Sequence, residues 1–343
     1  MKIYTILILI SILFLYGKPS FKLDLESKVS IDINSIDERF ITFGGFYIDN
    51  SDNLFIVEGY KQFIVVVSPE GKVLNRFGAK GSGPVEFSFI NGIGFFDREI
   101  VLGDMLEKKF TFIDSKEYKH IKYLPFFNRQ DYVINFFSKG FIGSKFNIME
   151  NRIDGSECFI YNFERDQYKK LKQFSFDIKG NGRGNFAIDR YKTPKQATDE
   201  IKYIYLFQQS CSKYEISMYD IEGNFIKNIS RRYRNIPFSK HEKEIRRMLG
   251  AEKRDKFSIY NIFADNGYLL VNKATHIRRE EDQSKFYVDI YKDGEFIEET
   301  ILDFIDGFNC WHANNSFKIK NGKIYIFNGD ENILDIYKYE ITE

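Results

Sequence analysis

Apolar residues recur along this chain in short runs that come in pairs, each pair separated by a tight polar turn. Six runs, Leu54 to Val57, Ile100 to Leu102, Phe141 to Gly143, Ile204 to Phe207, Leu269 to Val271 and Ile324 to Phe327, are each followed by a partner run. The partners begin at Phe63, Phe110, Phe159, Ile216, Tyr287 and Ile333. Apolar and polar positions alternate with period two in most of them, which predicts strands, and endings such as S-P-E-G, D-I-E-G and K-D-G predict hairpin turns. The stretch from Gly45 to Phe87 shows a whole unit: four short strands, their turns and a glycine-rich exit. First residues of the six leading runs lie 46, 41, 63, 65 and 55 residues apart. That is the interval of a four-stranded propeller blade with insertions. The expected fold is all-β, a six-bladed β-propeller over residues 21–343. The last unit lacks a fourth strand after Tyr339, while FKLDL and KVSIDI near the N-terminus belong to no unit. The N-terminus is therefore expected to supply that strand and close the ring, removing exposed edges.

In the first unit, DNLFIVE, then VVVSPEGKVL, then RFGAKGSGPVEF resembles an NHL repeat. The exit loop, with Gly81, Gly83, Pro84, Glu86 and Phe87, is similar to that closing the first blade of exported bacterial six-bladed propellers of the NHL type. The other units match in strand pattern alone. The resemblance implies a propeller and names no activity, because that family is mostly without an assigned one.

Composition agrees with this reading. Aromatic residues make up 17 % of the chain, with 36 Phe and 22 Tyr, which suits packed strands and excludes a disordered chain. Formal net charge is +1, and Lys2 and Lys18 account for the change to −1 once residues 1–20 are set aside. No global field for polyanions follows, so nucleic acid is not an expected partner. Residues 1–20, MKIYTILILISILFLYGKPS, place one Lys before an apolar run from Ile3 to Tyr16. This is the layout of a secretory signal, and the run is short for a ~30 Å hydrocarbon core. Export to the periplasm, cell surface or medium is expected. Cleavage and retention as an N-terminal membrane tether both stay open, since Leu15 or Lys18 would stand where a signal peptidase wants a small residue. Cys158, Cys211 and Cys310 are too few for a disulfide framework. Solitary thiols are expected, with a Cys158 to Cys211 bridge between corresponding loops as the alternative.

Insertions gather in units three to five: Lys145 to Glu157, Lys273 to Lys285, Ser175 to Glu200 and Ser230 to Lys256. Loops on a rigid scaffold are where binding groups are mounted, so this sector is the expected working surface, with simple capping of the ring as the alternative. Ser239 followed by Glu242, then Ile245, Met248 and Leu249 before Gly250, predicts a short capped helix. Between Ser230 and Lys256 stand ten Lys or Arg against four Asp or Glu. Arg231, Arg232, Arg234, Arg246 and Arg247 are candidate ligands for an anionic envelope polymer or lipid headgroup, or else part of a solvated face. An enzyme reading comes from related six-bladed lactonases, which hold calcium over the channel. It would use Glu58, Asp104, Asn272 and Asn328, each at or near the end of a second strand, where oxygen ligands suit calcium. His120, His241, His276 and His312 show no zinc spacing, and no serine-hydrolase, P-loop or dinucleotide signature is present. The function expected is a ligand- or protein-binding or scaffolding module of the cell envelope, without catalysis or cofactor. The alternative is a calcium-dependent, lactonase-like hydrolase or lyase at the central channel.

Overall fold

The computed structural model describes residues 20–31, 43–126, 131–149, 152–179, 194–238, 243, 256–273, 286–302, 317–328 and 333–342. Strand β1 (Ser20–Ser30) precedes the first sheet, β2 (Phe43–Ile48), β3 (Leu54–Glu58), β4 (Ile64–Val67) and β5 (Val73–Phe77). A parallel pair, β6 (Ala79–Lys80) and β7 (Glu86–Phe87), leads into the second sheet. That sheet holds β8 (Ile90–Phe96), β9 (Glu99–Asp104), β10 (Lys109–Asp114) and β11 (His120–Pro125). The third has β12 (Asp131–Phe137), β13 (Gly140–Met149), β14 (Arg152–Asn162) and β15 (Gln167–Lys179). The fourth has β16 (Pro194–Thr198), β17 (Tyr203–Gln208), β18 (Tyr214–Asp220) and β19 (Phe225–Arg231). The fifth has β20 (Ile259–Asp265), β21 (Tyr268–Lys273), β22 (Phe286–Lys292) and β23 (Glu295–Leu302). The sixth has β24 (Phe317–Lys320), β25 (Lys323–Asn328) and β26 (Ile333–Thr342), and its fourth strand is β1. Each sheet is an antiparallel four-stranded meander, and the protein is a six-bladed β-propeller.

The sequence makes these sheets because each is packed on both faces. In β3, Leu54 and Ile56 join a core with Tyr325, Phe327, Leu334 and Ile336 of the sixth blade. Phe55 and Val57, one position along, join a core with Ile93, Ile100 and Leu102 of the second. Alternate side chains thus feed opposite seams, and every residue of β3 and β4 is buried. Equivalent cores lie between blades two and three, three and four, four and five, and five and six. The seam between blades two and three is a stack of rings: Phe110 lies 4.5 Å from Phe126, 4.7 Å from Phe141 and 5.4 Å from Phe163. β1 pairs with β26 from Ser20 opposite Thr342 to Ser30 opposite Ile333. It passes so close over the S-P-E-G turn of the first blade that a Cβ on Gly71, at φ 87°, would stand 2.6 Å from Val29 and 2.7 Å from the Ser30 carbonyl.

Three expectations need correction or placing. The stretch from Lys145 to Glu157 is expected as a loop, yet β13 and β14 continue through it and pair as far as Met149 opposite Arg152. Phe146 and Ile153 keep the strand alternation going and are buried, so the hairpin lengthens where the polar letters NIMENR read as a loop. Cys158 sits inside β14, fully buried, with its thiol pushed up to about 12 by burial, and neither it nor Cys211 is disulfide-bonded. The predicted helix, apart from Lys243, and Cys310 lie outside the described residues.

Candidate functional site

The first strand of each blade faces the axis, and successive first strands are neighbours: β8 with β12, β12 with β16, β16 with β20, and β20 with β24. Together the six enclose a cavity of about 360 Å³. Its wall is drawn largely from the ends of those strands next to the turns that join first to second strands. Blades one and two contribute Tyr47, Ile48, Ile93 and Phe95. Blades three to six contribute Asn135, Lys195, Gln196, Asn261, Lys318 and Lys320, with Glu200 from the turn after β16.

Three lysines and one glutamate are the charged residues on this wall. Lys320 pairs with Glu200, whose carboxyl burial raises above its ordinary range, with Lys320 pulling the other way. The other two lysines have no carboxylate in contact among the described residues. Lys195 Nζ donates to the Tyr260 carbonyl at 2.9 Å, and burial lowers its pKa to about 8. Lys318 lies over the Tyr47 ring, 5.3 Å from its centroid, and burial lowers it to about 8 as well, against the opposing pull of Glu200. Burial also pushes the Tyr47 phenol up to about 12, so it stays neutral beside the ammonium. The Gln196 amide adds a donor and an acceptor, and among the described residues neither its Nε2 nor its Oε1 has a hydrogen-bond partner. Such a wall can bind through ammonium and amide groups on one side and apolar or aromatic faces on the other.

The turns below the cavity hold blades four to six together. Asp199 Oδ1 accepts from the backbone N–H groups of Ile201, Lys202 and Tyr203, while Oδ2 reaches the Gly267 N–H of the next blade at 3.0 Å. Asp265 does the same one blade on: Oδ1 accepts from Asn321 N–H at 3.1 Å, and Oδ2 from Gly322 N–H at 2.7 Å and the Tyr339 hydroxyl at 2.8 Å. Asn321 Nδ2 then donates to Asp52 Oδ1 of the first blade at 2.6 Å, and Lys323 Nζ to Asp52 Oδ2 at 3.0 Å. Next to the cavity, the carboxylates of Asp199 and Asp265, both buried, and of Asp52 thus each reach a partner in a neighbouring blade.

The residues singled out in sequence fall elsewhere. Arg231 ends β19, and its guanidinium meets Asp289 Oδ1 at 2.6 Å and lies over the Phe296 ring at 4.2 Å. Lys273 joins the same carboxylate at 3.1 Å and also pairs with Glu299. This network ties blades four and five together and turns Arg231 inward. Arg232 and Arg234 follow it, exposed, in irregular backbone, and Arg246 and Arg247 lie outside the described residues. Glu58 and Asp104 end β3 and β9, fully buried. Asp104 accepts four backbone N–H groups, from Ser88, Phe89, Leu106 and Glu107, at 2.7 to 3.2 Å. Glu58 accepts the Lys61 N–H across its own loop. Asn272 donates to the Tyr287 carbonyl at 3.3 Å, and the Asn328 side chain lies outside the described residues. The Asp104 carboxylate is thus taken up by four N–H donors, and among the described residues no three His, Cys, Asp or Glu are grouped to hold a metal ion. His120 lies in the outer strand β11, against Tyr123, whereas His241, His276 and His312 lie outside the described residues. In the glycine-rich exit loop, Glu86 Oε2 accepts the Gly83 N–H at 2.8 Å, and a Cβ on Gly81, at φ 159°, would stand 2.1 Å from that oxygen. The loop exists to plant Phe87, fully buried, between blades one and two.

Sequence reading passed over the channel residues because β16 and β24, PKQAT and FKIK, are short and polar. A signal was available: Lys318 and Lys320 stand two apart in a strand otherwise apolar, which places both on one face.

No family model matches the sequence, and no curated protein matches it significantly. Among solved structures, the chain is similar to a candidate exported protein of Bacteroides fragilis NCTC 9343, with a TM-score of 0.54 and 11% identity over 94% of this chain and 96% of that one. It also aligns with virginiamycin B lyase of Staphylococcus aureus, with a TM-score of 0.46 and 11% identity over 93% and 99% of the two chains. At such identities the first likeness is one of fold.

Proposed function

We propose that this chain is an exported propeller of the NHL type that serves as a binding module of the cell envelope, without catalysis, and that its ligand enters the central channel. One observation carries the reading: a cavity of about 360 Å³ gathers Lys195, Lys318 and Gln196 on its wall, and among the described residues no carboxylate touches either lysine and nothing bonds the Gln196 amide. That volume is at the small end of the range for small-molecule sites, roughly 300 to 1,000 Å³, and too small for a folded partner. Leaving polar groups unsatisfied inside a protein costs stability, so a wall that keeps them is explained by a ligand that completes them. Export rests on the lysine and apolar run of residues 1–20. The pairing of β1 on β26 would then complete the sixth blade and close the ring.

The test is a ligand screen by nuclear magnetic resonance on the wild type and on a channel-plugged variant, Asn135→Trp, with Gln196→Phe as a second plug. Ligands found with the wild type are expected to lose binding in both plugged proteins and to keep it in Arg232→Ser. Ligands that bind plugged and open channels alike would overturn the reading.

A further inference from the structure

We infer that the ligand of the central channel is a small organic oxyanion, a carboxylate or phosphate ester with an apolar or aromatic body. This rests on the channel being the binding site and adds the chemistry of what enters it.

Charge comes first. Lys320 has its carboxylate in Glu200, whereas among the described residues Lys195 Nζ meets a backbone carbonyl and Lys318 the face of a ring, with Glu200 acting on Lys318 from beyond ion-pair distance. Among the described residues the wall thus carries three ammonium groups against one carboxylate, in a protein whose overall charge is close to zero. Burying an ammonium without a carboxylate is expensive, and an oxyanion within reach of either lysine would complete it with a charge-assisted hydrogen bond. The Gln196 amide, without a hydrogen-bond partner among the described residues, adds an N–H donor for such an oxygen to the same wall. A cationic ligand is repelled by the same groups.

Shape and polarity come second. Across from the lysine-bearing strands β16 and β24, the wall is Ile93 and Phe95 from β8, while the Tyr47 ring lies under the Lys318 ammonium. A water molecule takes up roughly 30 Å³ of liquid volume, so an inorganic oxyanion would fill only part of a cavity this size and leave those faces bare. An apolar body of about six to ten heavy atoms would cover them, and burying that area adds to affinity. The geometry therefore asks for negative charge at one end of the ligand and carbon at the other.

Calorimetric titration of the purified protein at pH 7, in low-salt buffer with chloride as its only small anion, tests this. Phenyl phosphate and phenylacetate are the probes, benzyl alcohol supplies the ring without charge, and inorganic phosphate the charge without the ring. At least one of the two probes is expected to bind tenfold or more tightly than either control. Lys195→Met and Lys318→Met are each expected to weaken that probe about tenfold, while Arg232→Ser leaves it unchanged. Unfolding midpoints of all variants establish that they are folded. Benzyl alcohol or inorganic phosphate binding as tightly as both probes would overturn the inference, as would probe affinity indifferent to both lysines. Neutral ligands that bind and are blocked by Asn135→Trp would overturn the oxyanion but leave channel binding standing. Probes that bind equally well to the plugged variant would instead overturn the channel.

Discussion

Blades one and two share their strand pattern with blades four to six but use buried carboxylates differently. Asp104 and Glu58 tie down loops next to their own strands. Asp199, Asp265 and Asp289 reach across a seam to the neighbouring blade. The charged groups of the channel wall follow the same line, with Lys195, Glu200, Lys318 and Lys320 all on blades four to six and Tyr47, Ile48, Ile93 and Phe95 supplied by blades one and two. A blade that satisfies its own polar groups acts as scaffold. Blades that hand them to neighbours and to the axis set the geometry of a site, and there a ligand has something to complete.

The largest expected effect breaks the local kind of contact. Asp104→Ala removes the acceptor for four N–H groups at a fully buried position, and each orphaned donor costs on the order of 1 to 3 kcal/mol before the loop relaxes. A net loss of about 4 kcal/mol is expected in urea unfolding, the same with chelator as with added calcium. A loss seen only in the presence of calcium would return Asp104 to a metal site.

Next comes the bridging kind. Asp265 ends β20 and Asp97 opens the turn just after β8, each at the first hairpin of its blade, but Asp265 is buried against blade six and Asp97 is exposed. Asp265→Ala leaves two N–H groups and the Tyr339 hydroxyl without their acceptor, for about 3 kcal/mol, whereas Asp97→Ala is expected to stay within about 0.5 kcal/mol. Equal effects at the two positions would erase the contrast between the halves.

The strands and the six units were legible because each sheet is packed on both faces, which leaves long apolar runs such as LFIVE and FIVVV. The bridges were not, because Asp265 finds its partners more than fifty residues away and only the turning of the ring brings them together. The same distance hid the role of Arg231. In sequence it heads a basic cluster, but Asp289 from the next blade claims it. Asp289 is buried and faces both Arg231 and Lys273, so Asp289→Ala strands two cations, although Arg231 retains some access to water. About 2 kcal/mol is expected from that change, and Arg231→Met paired with Asp289→Met is expected to recover part of it. A double variant no better than the single one would mean that packing, rather than the stranded charge, sets the loss.

The smallest effect separates site from scaffold. Lys195 and Lys318 titrate near 8 in the folded protein, below the ordinary value of about 10.4 for lysine, so between those values the unfolded chain holds more protons than the folded one. Stability is therefore expected to rise as pH increases from about 8 to about 10. Above that, tyrosines whose pKa values burial has raised, Tyr47 among them, begin to reverse the trend, because the unfolded chain then loses phenolic protons that the folded one keeps. Lys318→Met removes a charge that folding must bury, and at pH 7 it is expected to stabilise by roughly 1 kcal/mol and to flatten the rise with pH. The same substitution should weaken oxyanion binding about tenfold, and gaining stability while losing affinity is the signature of a group kept for its ligand. If Lys318→Met lost stability instead, the lysine would belong to the packing of the channel wall, and the two halves of the ring would differ in composition alone.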